Sequence, residues 1–330
     1  MENRLRTLLK LLVLSIWLGG VPTQVQAGNG SYAGAFLRIG LGAPALGMGN
    51  TGVALLPNGF GTYYNPAAMP WLSAKTLSLS YSFMSLDRRF NYIGFALPLP
   101  PAGGFSAGWI YSGVDNIRAY NSRGEDVGQV NHGLHAFYFS FGMKLGGFLN
   151  PGAKITFLHP DLIAIGVTLK ILLENINDGG DFDYSGKGVG LDIGLLLKPV
   201  DWLQIGYQIK DIRSALKSNT NNIFERGSTL DNAFPIVQRV GVYSQTPLSL
   251  LQLAYDFEWS TAGENKHHAG VQFGTQAARL RVGYDARRFT FGAGLNLKFF
   301  GKGDMVLDYA LMDDVYGEGV SHVFSWQFKL

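Results

Sequence analysis

The feature that most constrains this chain is a two-residue alternation of apolar side chains with small or polar ones. In the segment AKTLSLSYSFM, residues 74–84, leucine, tyrosine and phenylalanine take every second position, with serines between them. Successive side chains of a β-strand point to opposite faces of its sheet, so the pattern predicts strands with one apolar and one polar face. The segments run about ten to thirteen residues, enough for a tilted strand to cross a bilayer. A soluble β-sandwich also alternates, but its strands are typically about five or six residues long.

Fourteen such segments can be counted along the sequence. They cover residues 74–84, 88–97, 103–112, 133–145, 162–175, 186–199, 201–213, 236–246, 249–259, 265–275, 278–285, 289–299, 303–312 and 319–330. An even number of long alternating strands predicts an all-β fold, namely a transmembrane antiparallel β-barrel of about 14 strands.

The connections between these segments alternate in length, as expected for a barrel with long outer loops and short periplasmic turns. The predicted outer loops include 113–132, 176–185 and 214–235, and the predicted turns include 199–200, 247–248 and 276–277. Segment 146–161 is the exception, since it is long but lies where a short periplasmic turn is predicted.

The first 27 residues have the composition of a signal peptide. A basic start is followed by the short apolar run LLVLSIWLGGV and by small residues before Gly28. We therefore expect export, with the bacterial outer membrane as the destination. Removing Arg4, Arg6, Lys10 and Glu2 from the 27 basic and 24 acidic residues leaves 24 and 23. Such a balanced charge argues against a nucleic-acid partner.

Composition supports a membrane barrel over other exported folds. The chain has no cysteine, so no disulfide framework can stabilise it. Charged residues make up 15%, against about 25% in a typical globular protein. After the leader no apolar run reaches the roughly 18 residues that a membrane helix requires.

Residues 28–73 lack the alternation and are rich in glycine and alanine. We expect this segment to form a hatch inside the lumen, where irregular backbone is surrounded by protein. It contains GMGNTG, which matches the G-x-G-x-x-G spacing of dinucleotide sites but lacks their strand and helix context. We interpret Gly47 and Gly49 as close-packed hatch backbone, and Asn65-Pro66 as a turn before the first strand. The predicted division is thus 1–27 signal peptide, 28–73 hatch and 74–330 barrel.

Two stretches carry a family resemblance. FLRIGLGAPALGMGNTGVAL followed by TYYNPAAMPWL resembles the N-terminal region of the PorV/PorQ family, outer-membrane barrels related to the FadL long-chain fatty-acid transporter. The final strand, SHVFSWQFKL, with alternating aromatic residues, resembles the signal that outer-membrane assembly machinery recognises. The sequence departs from the family at Pro44, where arginine is usual.

The resemblance implies two functions. A PorV-like protein would be a component of type IX protein secretion, binding secreted or other outer-membrane proteins through its outer loops, for which we select Tyr120, Arg123, Glu125 and Phe224. A FadL-like protein would instead carry fatty acids or other hydrophobic molecules through the lumen, gated by hatch residues such as Asn65. The sequence slightly favours the first function. Membrane lipid and lipopolysaccharide are expected partners of either.

Residues that suggest other chemistry are better explained by the barrel. The aspartates of residues 178–183 lack the spacing of a calcium loop. His267 and His268 are adjacent, so they point to opposite faces of a strand. Ser321 and His322 have no identifiable third partner for hydrolysis. We therefore predict no enzyme activity, no cofactor and no metal. The alternation places four charged side chains on the lumen-facing side of their strands, where we expect charges to pair across the interior: Asp256, Glu258, Arg279 and Arg281.

Overall fold

The computed structural model describes residues 32–55, 58–146, 162–178, 183–219, 229–246, 250–299, 303–313 and 319–330. The predicted signal peptide and segment 147–161 lie outside these residues. None of the helices in the described ranges is long and apolar enough to cross a membrane.

Fifteen β-strands dominate the structure. They are β1 Thr76–Phe83, β2 Arg88–Leu99, β3 Gly103–Tyr120, β4 Asp126–Lys144, β5 Ile163–Asn177, β6 Asp183–Val200, β7 Leu203–Asn219, β8 Thr229–Ala233, β9 Val237–Gln245, β10 Leu251–Ser260, β11 Asn265–Gly274, β12 Ala278–Asp285, β13 Arg288–Phe299, β14 Gly303–Asp313 and β15 Val320–Lys329. Most boundaries agree with the predicted ones to within three residues.

The strands form a closed antiparallel barrel. Apart from β8, which pairs with β7 alone, each strand pairs with the strands before and after it, and β1 pairs with β15 to complete the ring. The short β8 and the longer β9 lie on the same edge of β7, β8 along residues 215–219 and β9 along residues 203–210. The fifteen strands therefore occupy fourteen positions around the barrel, which confirms the predicted fold class.

The two ends of the barrel differ. At one end, here called the turn end, lie the connections 100–102, 201–202 and 275–277, together with the start of β1 and the end of β15. At the opposite loop end, β3 and β4 extend to a hairpin tip at residues 121–125. The predicted loops 113–132 and 214–235 are thus partly strand. Alternation failed to reveal the extensions of β3 and β4, and the short β8, because both faces of these parts are exposed. The extension of β7 keeps one buried face, formed by Ser214, Leu216 and Ser218, in which two of the three residues are polar.

The outward face of the barrel is apolar and carries aromatic pairs. In β1 the serines face inward and are buried, whereas Tyr81 and Phe83 face outward. Three outward histidines bond neighbouring aromatic side chains: Trp109 donates to His135 at 3.2 Å, and His267 and His322 bond Tyr255 and Tyr309 at 2.7 and 2.8 Å. Such amphipathic rings are typical of the interfacial girdle of membrane barrels.

The described residues 32–55 and 58–72 form the hatch, which lies inside the barrel before the first strand. It contains two one-turn helices, α1 Ala43–Leu46 and α2 Gly61–Tyr64, and two 3-10 segments, Ala35–Arg38 and Pro66–Trp71. Proline at the first positions of α1 and of the last segment suits helix starts, where its missing N–H leaves no bond unmade. The short elements place an irregular backbone across the lumen.

Candidate functional site: the hatch and its seat

The hatch is bonded to the barrel wall on several sides. Backbone N–H groups of Ala43, Gly49 and Gly59 donate to Ser325, Thr290 and Gln327 at 2.8 to 3.0 Å. On the opposite side of the ring, Gln208 of β7 donates to the carbonyl of Tyr63. These bonds satisfy backbone groups that would otherwise be buried without partners.

The hatch rests on glycines of the wall, here called the glycine belt. A Cβ atom added to any of them would come within 3.0 Å of a hatch atom; they are Gly104, Gly142, Gly166, Gly194, Gly206, Gly270, Gly283 and Gly292. The first four are register partners across β3, β4, β5 and β6. The absence of side chains lets the hatch backbone approach the sheet closely.

Asn65 joins two parts of the hatch to the wall. Its Nδ2 donates to the carbonyl of Val53 at 2.7 Å and to that of Leu195 at 3.1 Å. Its Oδ1 accepts the N–H of Ala67 at 3.0 Å, which caps the 3-10 segment starting at Pro66. The side chain is fully buried. The predicted Asn65-Pro66 turn is therefore also a cross-link between hatch and β6.

Neighbouring residues fill the space around the glycines of the GMGNTG motif. The α-carbon of Gly292 lies where a side chain of Gly47 would stand, and the ring of Tyr64 does the same for Gly52. Gly49 has a φ of 69° and faces backbone of β11 and β12. A one-turn helix and not a strand precedes the motif. The motif therefore has neither the context nor the space of a dinucleotide site.

Charged side chains of β9–β12 hold hatch residues 49–53. The Oδ2 of Asp256 accepts the N–H groups of Gly52 and Val53 at 2.8 and 3.1 Å. Arg239 donates to the carbonyl of Asn50 at 3.0 Å and pairs with Glu258. We call Asp256, Arg239 and Glu258 the latch. All three are buried, so the bonds act in a medium of low dielectric constant.

Further ion pairs bridge the interior. Lys170 contacts both Asp192, at 2.6 Å, and Asp211, with all three side chains buried. Arg281 donates to Asp308 at 2.7 Å. Asp256, Glu258 and Arg281 thus form ion pairs inside the lumen, as predicted from the alternation. Arg279 forms no ion pair with any residue in the described ranges. Buried charges of this kind depend on their partners, because removing one leaves the other uncompensated.

Aromatic and aliphatic side chains of the hatch and of the surrounding wall pack together inside the barrel. The cluster includes Phe36, Leu37, Phe60, Tyr63, Tyr64, Phe90, Tyr92, Ile110, Tyr138, Leu172 and Phe234. Tyr63 donates to the carbonyl of Leu37 at 2.6 Å and Tyr64 to Asn50 at 2.8 Å. Burial raises the pKa of both Tyr63 and Tyr64 above the usual phenol value, so both stay protonated donors. A ligand passing this level must displace part of the hatch.

The other residues selected from sequence are placed as follows. Tyr120, Arg123 and Glu125 meet at the exposed β3–β4 hairpin tip, where Asn121 accepts the N–H groups of Arg123 and Glu125. Phe224 lies outside the described residues. Ser321 faces the lumen and His322 faces outward, so the two side chains do not meet. His267 and His268 also diverge.

No group of three metal-binding side chains occurs in the described part of the chain, and the sequence-selected Asp181 lies outside it.

The glycine belt and the latch were not predicted from sequence. A signal for the belt is present, since a single glycine interrupts an apolar strand in SFGMK, AIGVT and DIGLL. The latch has no comparable signal, because Asp256 and Gly52 are 204 residues apart. From the sequence alone, the alternation predicts only that these charged side chains face the lumen.

Comparison with known proteins shows what the fold resembles. The toluene transporter TbuX of Ralstonia pickettii superposes with a TM-score of 0.62 at 14% identity, covering 88% of this chain and 98% of TbuX. The monoaromatic hydrocarbon channel CymD gives 0.60 at 12%, covering 88% and 97%. A FadL homologue of Pseudomonas aeruginosa gives 0.57 at 12%, covering 87% and 97%. The fold is therefore FadL-like, as the sequence resemblance implied; the narrower PorV/PorQ assignment stays a prediction.

No family model matches the sequence. No curated protein matches it either.

Proposed function

We propose that this chain is an outer-membrane channel that admits small hydrophobic molecules by displacement of its hatch. The observation that carries the proposal is a FadL-like barrel whose lumen is closed by the hatch. A hatch held by side-chain bonds on a side-chain-free belt can separate from the wall without unfolding the barrel. Its fourteen-position ring of strands is closed without it.

The solved neighbours favour transport over the secretion function that the sequence slightly preferred. TbuX is described as a toluene transporter and CymD as a monoaromatic hydrocarbon channel. The aromatic cluster shared by the hatch and the wall offers apolar side chains among which such a molecule would be desolvated. Displacing Phe36 and Leu37 from this cluster would open the route from the loop end.

A second candidate function keeps the PorV-like role. One observation supports it, namely the hairpin tip, where Tyr120 is exposed and the Asn121 side chain holds the backbone of Arg123 and Glu125. A pre-ordered protruding surface suits protein recognition, because little conformational entropy is lost on binding. In this function the hatch would serve only to fill the lumen.

Locking the hatch tests the transport proposal. The hydroxyls of Thr62 in α2 and Ser140 in β4 bond each other directly. Since the chain has no cysteine, Thr62→Cys with Ser140→Cys should form a single disulfide from hatch to wall. The control, Ser140→Cys with Thr168→Cys, joins β4 to β5, whose hydroxyls lie 2.7 Å apart, and leaves the hatch free.

Uptake of toluene and of oleate would be measured in proteoliposomes before and after reduction. We expect the oxidised hatch lock to abolish uptake and reduction to restore it, whereas the wall disulfide has no effect. Uptake that persists through the locked hatch, or no uptake by the unmodified chain, would overturn the proposal. In the latter case, stoichiometric co-purification of secreted proteins would support the PorV-like function.

A further inference from the structure

A cavity lies on the turn-end side of the hatch. It has a volume of about 530 Å³ and is situated at the turn end of the barrel. Its roof is formed by hatch residues including Pro44, Met48 and Leu55, and its walls by the first residues of β7, β10 and β12 and the last of β9 and β11. The volume lies within the range of about 300–1,000 Å³ that is usual for small-molecule sites.

Glutamine is concentrated in this cavity. Six glutamines line it: Gln204, Gln245, Gln252, Gln272, Gln276 and Gln327. Only nine glutamines follow the predicted leader, so most of those in the chain converge on this one space. Five of them come from the neighbouring strands β7, β9, β10 and β11 and the turn at residue 276, where Gln252 is the register partner of both Gln245 and Gln272. The sixth, Gln327 of β15, faces them from across the lumen. We call this cavity the glutamine chamber.

Some of these amides have structural partners and others do not. Gln272 donates to Gln252 at 2.8 Å and accepts from Arg281 at 2.7 Å. Gln327 Oε1 accepts the N–H of Gly59 at 3.0 Å. In contrast, Gln204 is only 1% exposed and its Oε1 has no hydrogen-bond partner, and the same holds for Oδ2 of the buried Asp308.

The unused groups include donors as well as acceptors. Gln204 Oε1 and Asp308 Oδ2 are acceptors without a bond. The Nε2 groups of Gln252 and Gln327 are donors that no bond among the described residues uses. A carboxylate would satisfy only donors, whereas a hydroxyl group both donates and accepts. Tyr243 and Leu250 add apolar surface to the same chamber, suited to the C–H groups of a ring.

We propose that the glutamine chamber is a binding site for a neutral molecule that carries several hydroxyl groups, such as a small saccharide. The site is separate from the proposed hydrophobic route, since no residue that lines the chamber belongs to the aromatic cluster. It is also connected to the hatch, because Gln327 bonds Gly59. A ligand that accepts from Gln327 Nε2 would therefore bind the same amide group that holds Gly59 through its Oε1.

Binding of sucrose and maltotriose to the full chain tests this proposal. The protein would be held in lauryldimethylamine oxide, a detergent without sugar, and titrated by calorimetry and saturation-transfer NMR. Gln204→Leu and Gln252→Leu remove chamber amides, and Gln204→Asn keeps the amide one methylene shorter. Gln129→Leu makes the same change at an exposed position of β4 near the loop end. Heat-modifiable gel migration would verify that each variant is folded.

We expect saturable binding of at least one saccharide, weakened at least tenfold by each leucine substitution in the chamber, less by Gln204→Asn, and unaffected by Gln129→Leu. Absence of saturable binding, or equal binding by folded chamber variants, would overturn the proposal. Displacement of sucrose by decanoate that depends on Arg279 would also overturn it, because the chamber would then take an anionic chain end. Toluene and oleate uptake test the channel separately, so either proposal can fail alone.

Discussion

The carboxylate of Asp256 accepts the backbone N–H of Gly52 at 2.8 Å, which joins the middle of β10 to the hatch. The same oxygen accepts the N–H of Val53. A single buried acceptor thus satisfies two consecutive donors of irregular backbone, and bonds to an ionised acceptor are stronger than neutral ones. This arrangement makes Asp256 the residue on which the position of hatch residues 49–53 depends most.

Replacing Asp256 should therefore loosen the hatch. In Asp256→Ala, the N–H groups of Gly52 and Val53 lose their acceptor and Arg239 loses a nearby negative charge. We expect a loss of about 3–5 kcal/mol in the free energy of unfolding and a higher ion conductance in planar bilayers. The control is Asp231→Ala on β8, which breaks an exposed ion pair with Lys217 of β7 and should change neither quantity. Unchanged conductance in a folded Asp256→Ala protein would contradict the latch.

A methyl group on the glycine belt should lift the hatch from the wall. In Gly142→Ala the new Cβ would overlap the carbonyl oxygen of Pro66. We expect a destabilisation of about 1–3 kcal/mol from overpacking and faster protease cleavage within the hatch. Gly133→Ala, in the same strand, places its Cβ 3.5 Å from the nearest atom and is the control. Equal cleavage rates for the two variants would count against a close-packed seat.

The two functions of the Asn65 side chain can be separated by substitution. Asn65→Asp retains the oxygen that caps Ala67 but turns a carboxylate oxygen toward the carbonyls of Val53 and Leu195. Because three acceptors would then face one another, we expect Asn65→Asp to be at least as destabilising as Asn65→Ala, each by about 2–4 kcal/mol. Urea unfolding in detergent measures the difference. A milder effect of aspartate than of alanine would mean that the cap, and not the cross-link, is the main contribution.

Lys170 should be essential for the stability of the β5–β7 wall. Lys170→Met leaves Asp192 and Asp211 buried without their cation, for an expected loss of about 3–5 kcal/mol. Lys217→Met breaks an exposed pair with Asp231 and should cost no more than about 1 kcal/mol. Thermal or urea unfolding of the two variants provides the comparison. Similar losses for both would show that burial does not set the strength of these pairs.

The alternation in the sequence predicted the strands because it reports a local property. Successive residues of a strand point to opposite faces wherever the strand lies, so Leu79 and Ser80 could be assigned to opposite faces without knowledge of their neighbours. The count of fourteen long segments followed, and with it the closed barrel. Where both faces of a strand are exposed, neither face needs apolar residues and the alternation is absent. The tips of β3 and β4 and the whole of β8 were therefore assigned to loops.

What only the tertiary structure decided is which lumen-facing residues meet. The glycines of β3–β6 form a belt because strand register aligns Gly104, Gly142, Gly166 and Gly194 around the ring. Asp256 reaches Gly52, and Gln327 of β15 faces the glutamines of β7–β11, through contacts across the lumen that join distant parts of the chain. Register and closure are set by long-range pairing, which a period of two residues does not encode. The sequence alone thus determined the strands and the barrel, and only the tertiary structure decided which residues of the barrel contact the hatch and line the chamber.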